Sequence, residues 1–301
     1  MNSFFSVIIP TYNRELTIEK SLGSLMNQTF VDFEVIVVDN NSTDKTVSIV
    51  ESIKDPRVKL LINKKNYERC FSRNRGIANA NGMYILFLDS DDFFEKYHLQ
   101  NWFEYISKND IKENFLICNK KTFKSNVLQR ESISLPKDIY HFLITTPVLP
   151  GQVCIHRNLL ENYQFNSRYL IFEDTALWLQ LARITDPIFV HFNSFVYVIH
   201  DCNSVDWKIN NFGVTRLESI KNFFNDNELF IKLISRKKYN YLLSNTYFTI
   251  AKFFIHKNND LKSIYFVFKS LFSYPSTYQL KHRFLIFIKL IVFIPINEYK
   301  N

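Results

Sequence analysis

Three carboxylates crowd one turn at Asp89, Asp91 and Asp92, directly after the apolar run at residues 84–88. Like charges at that spacing repel unless a cation or a proton lies between them. Only Ser90 separates Asp89 from Asp91, so both reach toward a single hard divalent ion held through oxygen. The plain alternative is an acidic loop that caps the following helix. Another acid, Asp39, closes the apolar run that starts at Phe33, and Thr11 and Tyr12 follow the run at 5–10. A further acidic pair, Glu173 and Asp174, opens a segment whose apolar face includes Leu177, Leu181 and Ile184. Negative groups at a helix start are favoured by the helix dipole, so ordinary capping accounts for that pair on its own.

The elements that must carry these residues alternate. Residues 5–10, 33–39, 57–62 and 84–88 read as strands, the last apolar on both faces, as in a covered parallel sheet. Between them, residues 14–27 carry Leu16, Ile18, Leu22 and Leu25 at helical spacing. Asn40, Asn41, Ser42 and Thr43 are helix N-cap types ahead of a helix bearing Val47, Ile49, Val50 and Ile53. Residues 69–80 form a third helix. This alternation predicts an α/β fold whose mostly parallel sheet binds its ligand beyond the carboxyl ends of the strands. Thr11, Tyr12, Asp39 and Asp89 to Asp92 all fall at such ends.

A glycine cradle for phosphates is excluded. The five glycines are 23, 76, 82, 151 and 213, none in the first strand–helix turn, and no dinucleotide or P-loop pattern exists. Nucleotide phosphates would be met by metal and side chains. The lack of a glycine-rich lysine loop after the first strand also argues against a nucleotidyltransferase.

The segments Ser6-Val-Ile-Ile-Pro-Thr-Tyr-Asn-Arg14, Val35-Ile-Val-Val-Asp-Asn-Asn-Ser-Thr-Asp44, Arg73-Asn-Arg-Gly76 and Leu88-Asp-Ser-Asp-Asp92 together resemble the family-2 glycosyltransferases. These are inverting enzymes of the nucleotide-diphosphosugar-binding GT-A fold. The motifs stand in family order over residues 4–100, and Phe172-Glu-Asp-Thr-Ala-Leu-Trp-Leu-Gln-Leu181 extends the resemblance toward 205. The resemblance implies that Pro10, Thr11, Tyr12 and Asp39 contact the nucleoside, Asp39 accepting from the base. It places Arg73 near the base or phosphate, although a helix-surface arginine reads equally well. Asp89 would face the ribose, Ser90 would be among the donor-binding residues, and Asp91 would hold Mn²⁺ or Mg²⁺ bridging two phosphates. Asp92 is left as a supporting acid or a helix cap.

Inverting transfer needs a base for the acceptor hydroxyl. The family match favours Asp174, with Glu173 as the fallback. His200 follows the strand-like run 188–199; it is either a strand-end histidine or, as the resemblance implies, part of the metal and phosphate site. The other histidines read as structural or exposed.

Cys70, Cys118, Cys154 and Cys202 show no metal spacing. Met1-Asn-Ser leads straight into the first strand without a secretory pattern, and reduced cytosolic thiols are expected. At 47% hydrophobic over 301 residues the chain is apolar enough for one large core or two smaller ones. Residues 1–205 carry net −1 and are read as the catalytic domain, 1–100 binding the nucleotide sugar and 101–205 the acceptor. The stretch 110–172 carries no readable motif. Residues 206–301 hold 15 Lys+Arg against 6 Asp+Glu and 21 aromatic residues, and read as a helical extension.

That extension fits an anionic membrane surface, with Lys281, Arg283 and Lys289 as its basic face, or packing on the catalytic domain. Residues 284–296 are apolar but too short to span a bilayer. No nucleic-acid module is recognisable. The reading is transfer from a nucleotide diphosphosugar, a UDP-sugar first, to a hydroxyl of a lipid-linked glycan in surface polysaccharide assembly. The enzyme would be cytoplasmic and peripheral at the inner face of the membrane. The alternatives are a lipopolysaccharide-core or soluble acceptor, and a non-catalytic nucleotide-sugar-binding module.

Overall fold

In the computed structural model the described residues are 3–125, 127–133, 135–200, 212–274 and 280–291. The chain forms two compact units, residues 1–137, 147–167 and 174–201 in the first and 138–146, 168–173 and 202–301 in the second.

The first unit begins with the expected alternation: β1 (Phe5–Thr11), α1 (Ile18–Met26), β2 (Phe33–Asp39), α2 (Thr46–Ser52), β3 (Val58–Ile62), α3 (Arg69–Ala78) and β4 (Tyr84–Phe87). β5 (Phe93–Phe94), α4 (His98–Lys108), β6 (Phe115–Lys124) and β7 (Val127–Glu131) follow. After α5 (Ile139–Thr145), which belongs to the second unit, come β8 (Val153–His156), α6 (Leu159–Asn162), α7 (Glu173–Ala182) and β9 (Ile188–Ile199). The sheet order is β3-β2-β1-β4-β8-β6-β9-β5, with β7 on β6. β3, β2, β1 and β4 run parallel. β8 lies antiparallel to β4 and β6, whereas β9 runs parallel to β6. The parallel half explains the unbroken apolar runs: Val7, Ile8, Ile9 and Val35 to Val38 are all fully buried because helices cover both faces.

Two helical expectations are corrected. α1 starts at Ile18, not near residue 14, and Leu16 is 91% exposed. Asn13 takes a left-handed conformation with φ 49°, which turns the chain out of β1 and out of helical register. The polar run 40–43 caps no helix either, since α2 starts at Thr46 with no side-chain cap bond. Instead it fastens the loop after β1 to the loop after β2. Asn13 donates its N–H to Ser42 Oγ at 2.9 Å, Thr43 N–H reaches Asn13 Oδ1 at 2.9 Å, and Arg14 N–H reaches Thr46 Oγ1 at 2.7 Å. Ile184 also departs from the expected helix face. α7 ends at Ala182, leaving Ile184 exposed while Leu177 and Leu181 are buried.

α3 sits close on β1. A Cβ on Gly76 would lie 2.4 Å from Ile8 Cγ2, so only glycine lets the helix approach that far. Behind the sheet, His98 is fully buried, stacked on Phe94 and bonded to Ser194 Oγ at 2.8 Å and Trp102 Nε1 at 3.1 Å. Burial pushes its pKa down to about 3, so it is a neutral core residue.

The second unit carries α8 (Phe212–Asp226), α9 (Leu229–Ile234), α10 (Arg236–His256), α11 (Asp260–Ser273) and α12 (Leu280–Ile291). One core cluster holds Phe248, Ala251, Ile255, Val267, Ile286 and Leu290. The assignment of Arg283 to a basic outer face is wrong. It is buried, donating to Ser244 Oγ at 2.8 Å, Ser270 Oγ at 2.7 Å and Asn245 Oδ1 at 2.7 Å. The side chain of Lys289, residues 292–301 and Cys202 lie outside what is described. Cys70, Cys118 and Cys154 are buried.

Candidate active site

The acids singled out in the first unit gather beyond the carboxyl ends of β1, β2 and β4, where parallel α/β sheets place ligands. Their supports come from neighbouring loops. Asp39 is fully buried; its Oδ2 accepts the Ser42 N–H at 2.9 Å, while its Oδ1 is buried with no hydrogen-bond partner. Thr11 Oγ1, at the end of the adjacent strand, is likewise buried without a partner. A buried polar atom left without a partner is destabilising by about 1–3 kcal/mol; Asp39 Oδ1 lacks a donor, and the Thr11 hydroxyl, which can donate or accept, lacks a partner. Tyr12, the next residue along the chain, is 39% exposed.

The floor beside Asp39 is an asparagine network. Asn63 Nδ2 donates to Asn40 Oδ1 at 2.8 Å, and Arg75 donates to Asn63 Oδ1 at 2.6 Å. Asn40 in turn donates to the Tyr67 carbonyl at 2.6 Å and accepts the Tyr67 N–H at 3.0 Å. These bonds fix the loop after β3. The sequence did not flag them, because single asparagines carry no spacing signal.

Arg73 joins two acids that the sequence kept apart. One guanidinium nitrogen donates to Asp89 Oδ1 at 3.0 Å and another to Asp174 Oδ1 at 2.8 Å. Its side chain is only 3% exposed, against 39% for Asp89 and 26% for Asp174. The Phe165 ring lies 5.1 Å from the guanidinium carbon. Asn74, the next residue on α3, grips the Phe165 backbone at both N–H and carbonyl, at 3.1 and 2.7 Å. Arg73 is therefore an interior ion-pair residue, and the helix-surface alternative is wrong.

Asp91 faces cations of another kind. Its Oδ2 lies 3.2 Å from His200 Nε2 and 3.7 Å from an Arg14 nitrogen. Burial and then the Asp89 charge raise its pKa, against the opposing pull of Arg14 and His200. Asp92 is more deeply buried, and burial together with Asp89 and Asp91 pushes its pKa well up. It accepts the Val198 N–H at 2.8 Å, and its backbone carbonyl accepts Ser21 Oγ–H at 2.7 Å. Asp92 thus ties β9 to the acidic turn and caps no helix. Ser90 is buried within that turn. Tyr197 of β9, absent from the sequence reading, has its phenol pKa raised by burial and by the charges of Asp92, Asp91 and Asp89.

Among the described residues no group of three or more His, Cys, Asp or Glu is arranged to hold a metal ion. The donor set nonetheless fits a hard cation that takes most of its ligands elsewhere. It offers one half-buried carboxylate, Asp91, pressed by a like charge, with an imidazole in contact with it. Glu173 is buried in the second unit, where its charge acts on Arg216.

The sequence profile described as Glycosyl transferase family 2 matches residues 6–157. The Escherichia coli UDP-Glc:alpha-D-GlcNAc-diphosphoundecaprenol beta-1,3-glucosyltransferase WfgD is 31% identical over 179 residues, covering 59% of this chain and 69% of that protein. A Campylobacter jejuni GalNAc(5)-diNAcBac-PP-undecaprenol beta-1,3-glucosyltransferase is 32% identical over 210 residues, covering 66% of each. Among solved structures, the mannosyltransferase PcManGT from Pyrobaculum calidifontis, in complex with GDP-Man and Mn²⁺, superposes with TM-score 0.60. The identity is 18%, over all of this chain and 84% of that one. TarS 1–349 from S. aureus in complex with UDP-GlcNAc gives 0.57 at 19%, covering 96% of this chain and 91% of that one.

The mixed sheet with its parallel half, the helical C-terminal region and these structural neighbours show the GT-A fold. The chain belongs to glycosyl transferase family 2.

Proposed function

We propose that this enzyme transfers one sugar, with inversion, from a nucleotide diphosphosugar to a hydroxyl of a glycan carried on a diphospholipid. The observation that carries the reading is the Arg73 bridge, which sets the candidate base Asp174 against the donor-side acid Asp89. The unpartnered Asp39 Oδ1 suits an imide N–H of a pyrimidine base, which supports a UDP-sugar. Pro10, Thr11 and Tyr12 would line the nucleoside, with Asp89 and Ser90 toward the ribose.

In the transfer step the Asp174 carboxylate takes the acceptor O–H proton as the acceptor oxygen attacks the anomeric carbon. The bond from that carbon to the diphosphate oxygen breaks, and its electron pair leaves with the diphosphate. Asp91, with His200 beside it, would hold Mn²⁺ or Mg²⁺. When bound, such an ion neutralises charge on the leaving diphosphate. Arg14 adds a fixed positive charge next to Asp91. Residues 101–205 are the part assigned to acceptor binding.

The lipid-linked acceptor is supported by WfgD and the Campylobacter relative, both named for diphosphoundecaprenol-type acceptors. On this reading the enzyme works at the cytoplasmic face of a membrane in surface polysaccharide assembly. The test is a donor panel of UDP-, GDP- and dTDP-sugars with a synthetic diphosphopolyprenyl-sugar acceptor, with and without Mn²⁺, and NMR of the product. The expected product from an α-linked UDP-sugar is β-linked and metal-dependent. An α-linked product rules out direct displacement.

A further inference from the structure

α12 is built inside out. A helix on the surface of a water-soluble protein turns apolar residues inward and charge outward. Here the inner face carries the Arg283 guanidinium along with Ile286 and Leu290, all buried. Its outer face carries Leu280, Phe284, Ile288 and Ile291, all exposed, Phe284 at 54%. The positions step by four, four and three, a single stripe along the helix. Phe287 brings α12 against α11, its ring 6.1 Å from that of Phe268.

α11 repeats the pattern. Its buried side holds Ser263, Val267 and Ser270, whereas Leu261, Tyr265, Phe268 and Phe272 form an exposed stripe stepping by four, three and four, Phe272 at 70%. Two neighbouring helices thus each present an apolar stripe to solvent. Elsewhere among the described residues exposed large apolar side chains are scattered, as on any protein surface. Exposed apolar stripes on adjacent helices mark a surface that something else covers.

The charge pattern identifies what covers it. Residues 260–291 contain four lysines and Arg283 against the single acid Asp260. Lys262, Lys269 and Lys281 are exposed, and the Lys269 ammonium sits 5.6 Å over the Tyr265 ring at the stripe itself. Aromatic and aliphatic stripes fringed by lysine suit a headgroup and acyl-chain boundary carrying negative charge. Among the described residues no helix is long and apolar enough to cross a membrane, so the helices lie on the surface.

We propose that the outer faces of α11 and α12 are the surface by which this chain lies on an anionic lipid bilayer, inserting Leu261, Phe272 and Phe284 among the lipids. The proposal rests on the lipid-linked acceptor reading only for its biological sense, because membrane binding is measured without donor or acceptor.

The experiment is flotation of the full chain with phosphatidylcholine vesicles and with vesicles containing one-third phosphatidylglycerol, at low and high salt. Wild type is expected to float with the anionic vesicles and to be partly released by salt. Leu261→Gln/Phe272→Ser/Phe284→Ser should weaken binding at least about tenfold, since each exchange removes an inserted apolar side chain. Lys262→Glu/Lys269→Glu/Lys281→Glu should weaken it and erase the salt dependence. All these side chains are exposed, and circular dichroism with turnover on a short soluble acceptor verifies the fold of each variant. The proposal is overturned if wild type ignores anionic vesicles at low salt, or if the triple apolar variant floats undiminished. A wild-type dimer that becomes monomeric in that variant, with no vesicle binding, would assign the face to a second copy. Failure of either kind leaves the sugar-transfer reading standing, and loss of transfer leaves flotation unchanged.

Discussion

Arg73 in the α/β unit and Arg283 in the helical unit are equally buried, at 2% and 3% exposure, and each lies over a phenylalanine ring. Their surroundings differ in kind. Arg73 meets two carboxylates at 2.8 and 3.0 Å, both of which remain partly open to solvent. Arg283 is held by two serine hydroxyls, an asparagine oxygen and a carbonyl, and burial lowers its pKa to about 10. The first arrangement orients acids that stay open to solvent; the second fastens three helices together. A buried cation is thus no sign of a site by itself. What distinguishes a site is that the groups it holds still reach outward.

The sharpest break in this comparison is at Asp174. Asp174→Asn should keep the fold and donor binding, yet lose on the order of 10²–10⁴ in kcat, the usual worth of a general base. Donor affinity by calorimetry and the melting temperature decide the matter. If the variant unfolds, Asp174 is structural; if it turns over normally, the base lies elsewhere.

Arg73 comes next. Arg73→Gln keeps a hydrogen-bonding amide but removes the charge shared by Asp89 and Asp174, and kcat should fall roughly 10–100-fold because a misplaced base reacts slowly. Arg73→Lys should recover part of that, since one ammonium can pair with one acid but not fork between two. A loss confined to the donor KM would make Arg73 a donor-binding group and undo its pairing with the base.

Arg283→Met should leave transfer to a soluble acceptor untouched. It strands the Ser244, Ser270 and Asn245 acceptors and should cost about 1–3 kcal/mol in stability. Denaturant unfolding measures it. A variant that loses activity but not stability would mean the two arginines do similar work after all.

The two arginines also mark how far the sequence could be read. Arg73 stands in a motif of ordered spacing, and Asp39 and Asp89 to Asp92 were legible because strand ends in a parallel sheet are ligand positions. The loop after β1 was not. Ile18, Leu22 and Leu25 stand at helical intervals, but Leu16 lies two and six residues from the first two, off that face, and the left-handed turn at Asn13 with its bonds to Ser42 and Thr43 holds the segment before Ile18 as a loop. Arg283 was misread because composition counts charges without saying which face they occupy. In a helix as apolar as α12 the pattern gives no inside or outside.

A third buried base completes the comparison, since His98 neither pairs with acid nor rests on several dipoles but gives up its proton. Its folded pKa of about 3 lies below the unfolded value near 6.5, so the folded state binds fewer protons than the unfolded state between those values. The contribution is fully present above pH 6.5 and declines as pH falls toward 3. Between pH 7 and pH 5 that is a loss of about 2 kcal/mol. Other groups titrate in the same window, so the measurement is a difference. Urea unfolding of wild type and His98→Gln at pH 7 and pH 5 should show the gap between them narrowing by about that amount on acidification. The glutamine cannot be protonated, although it can keep one bond, to Ser194 or Trp102. A gap of constant size would mean that the buried imidazole is not the acid-sensitive group in this core.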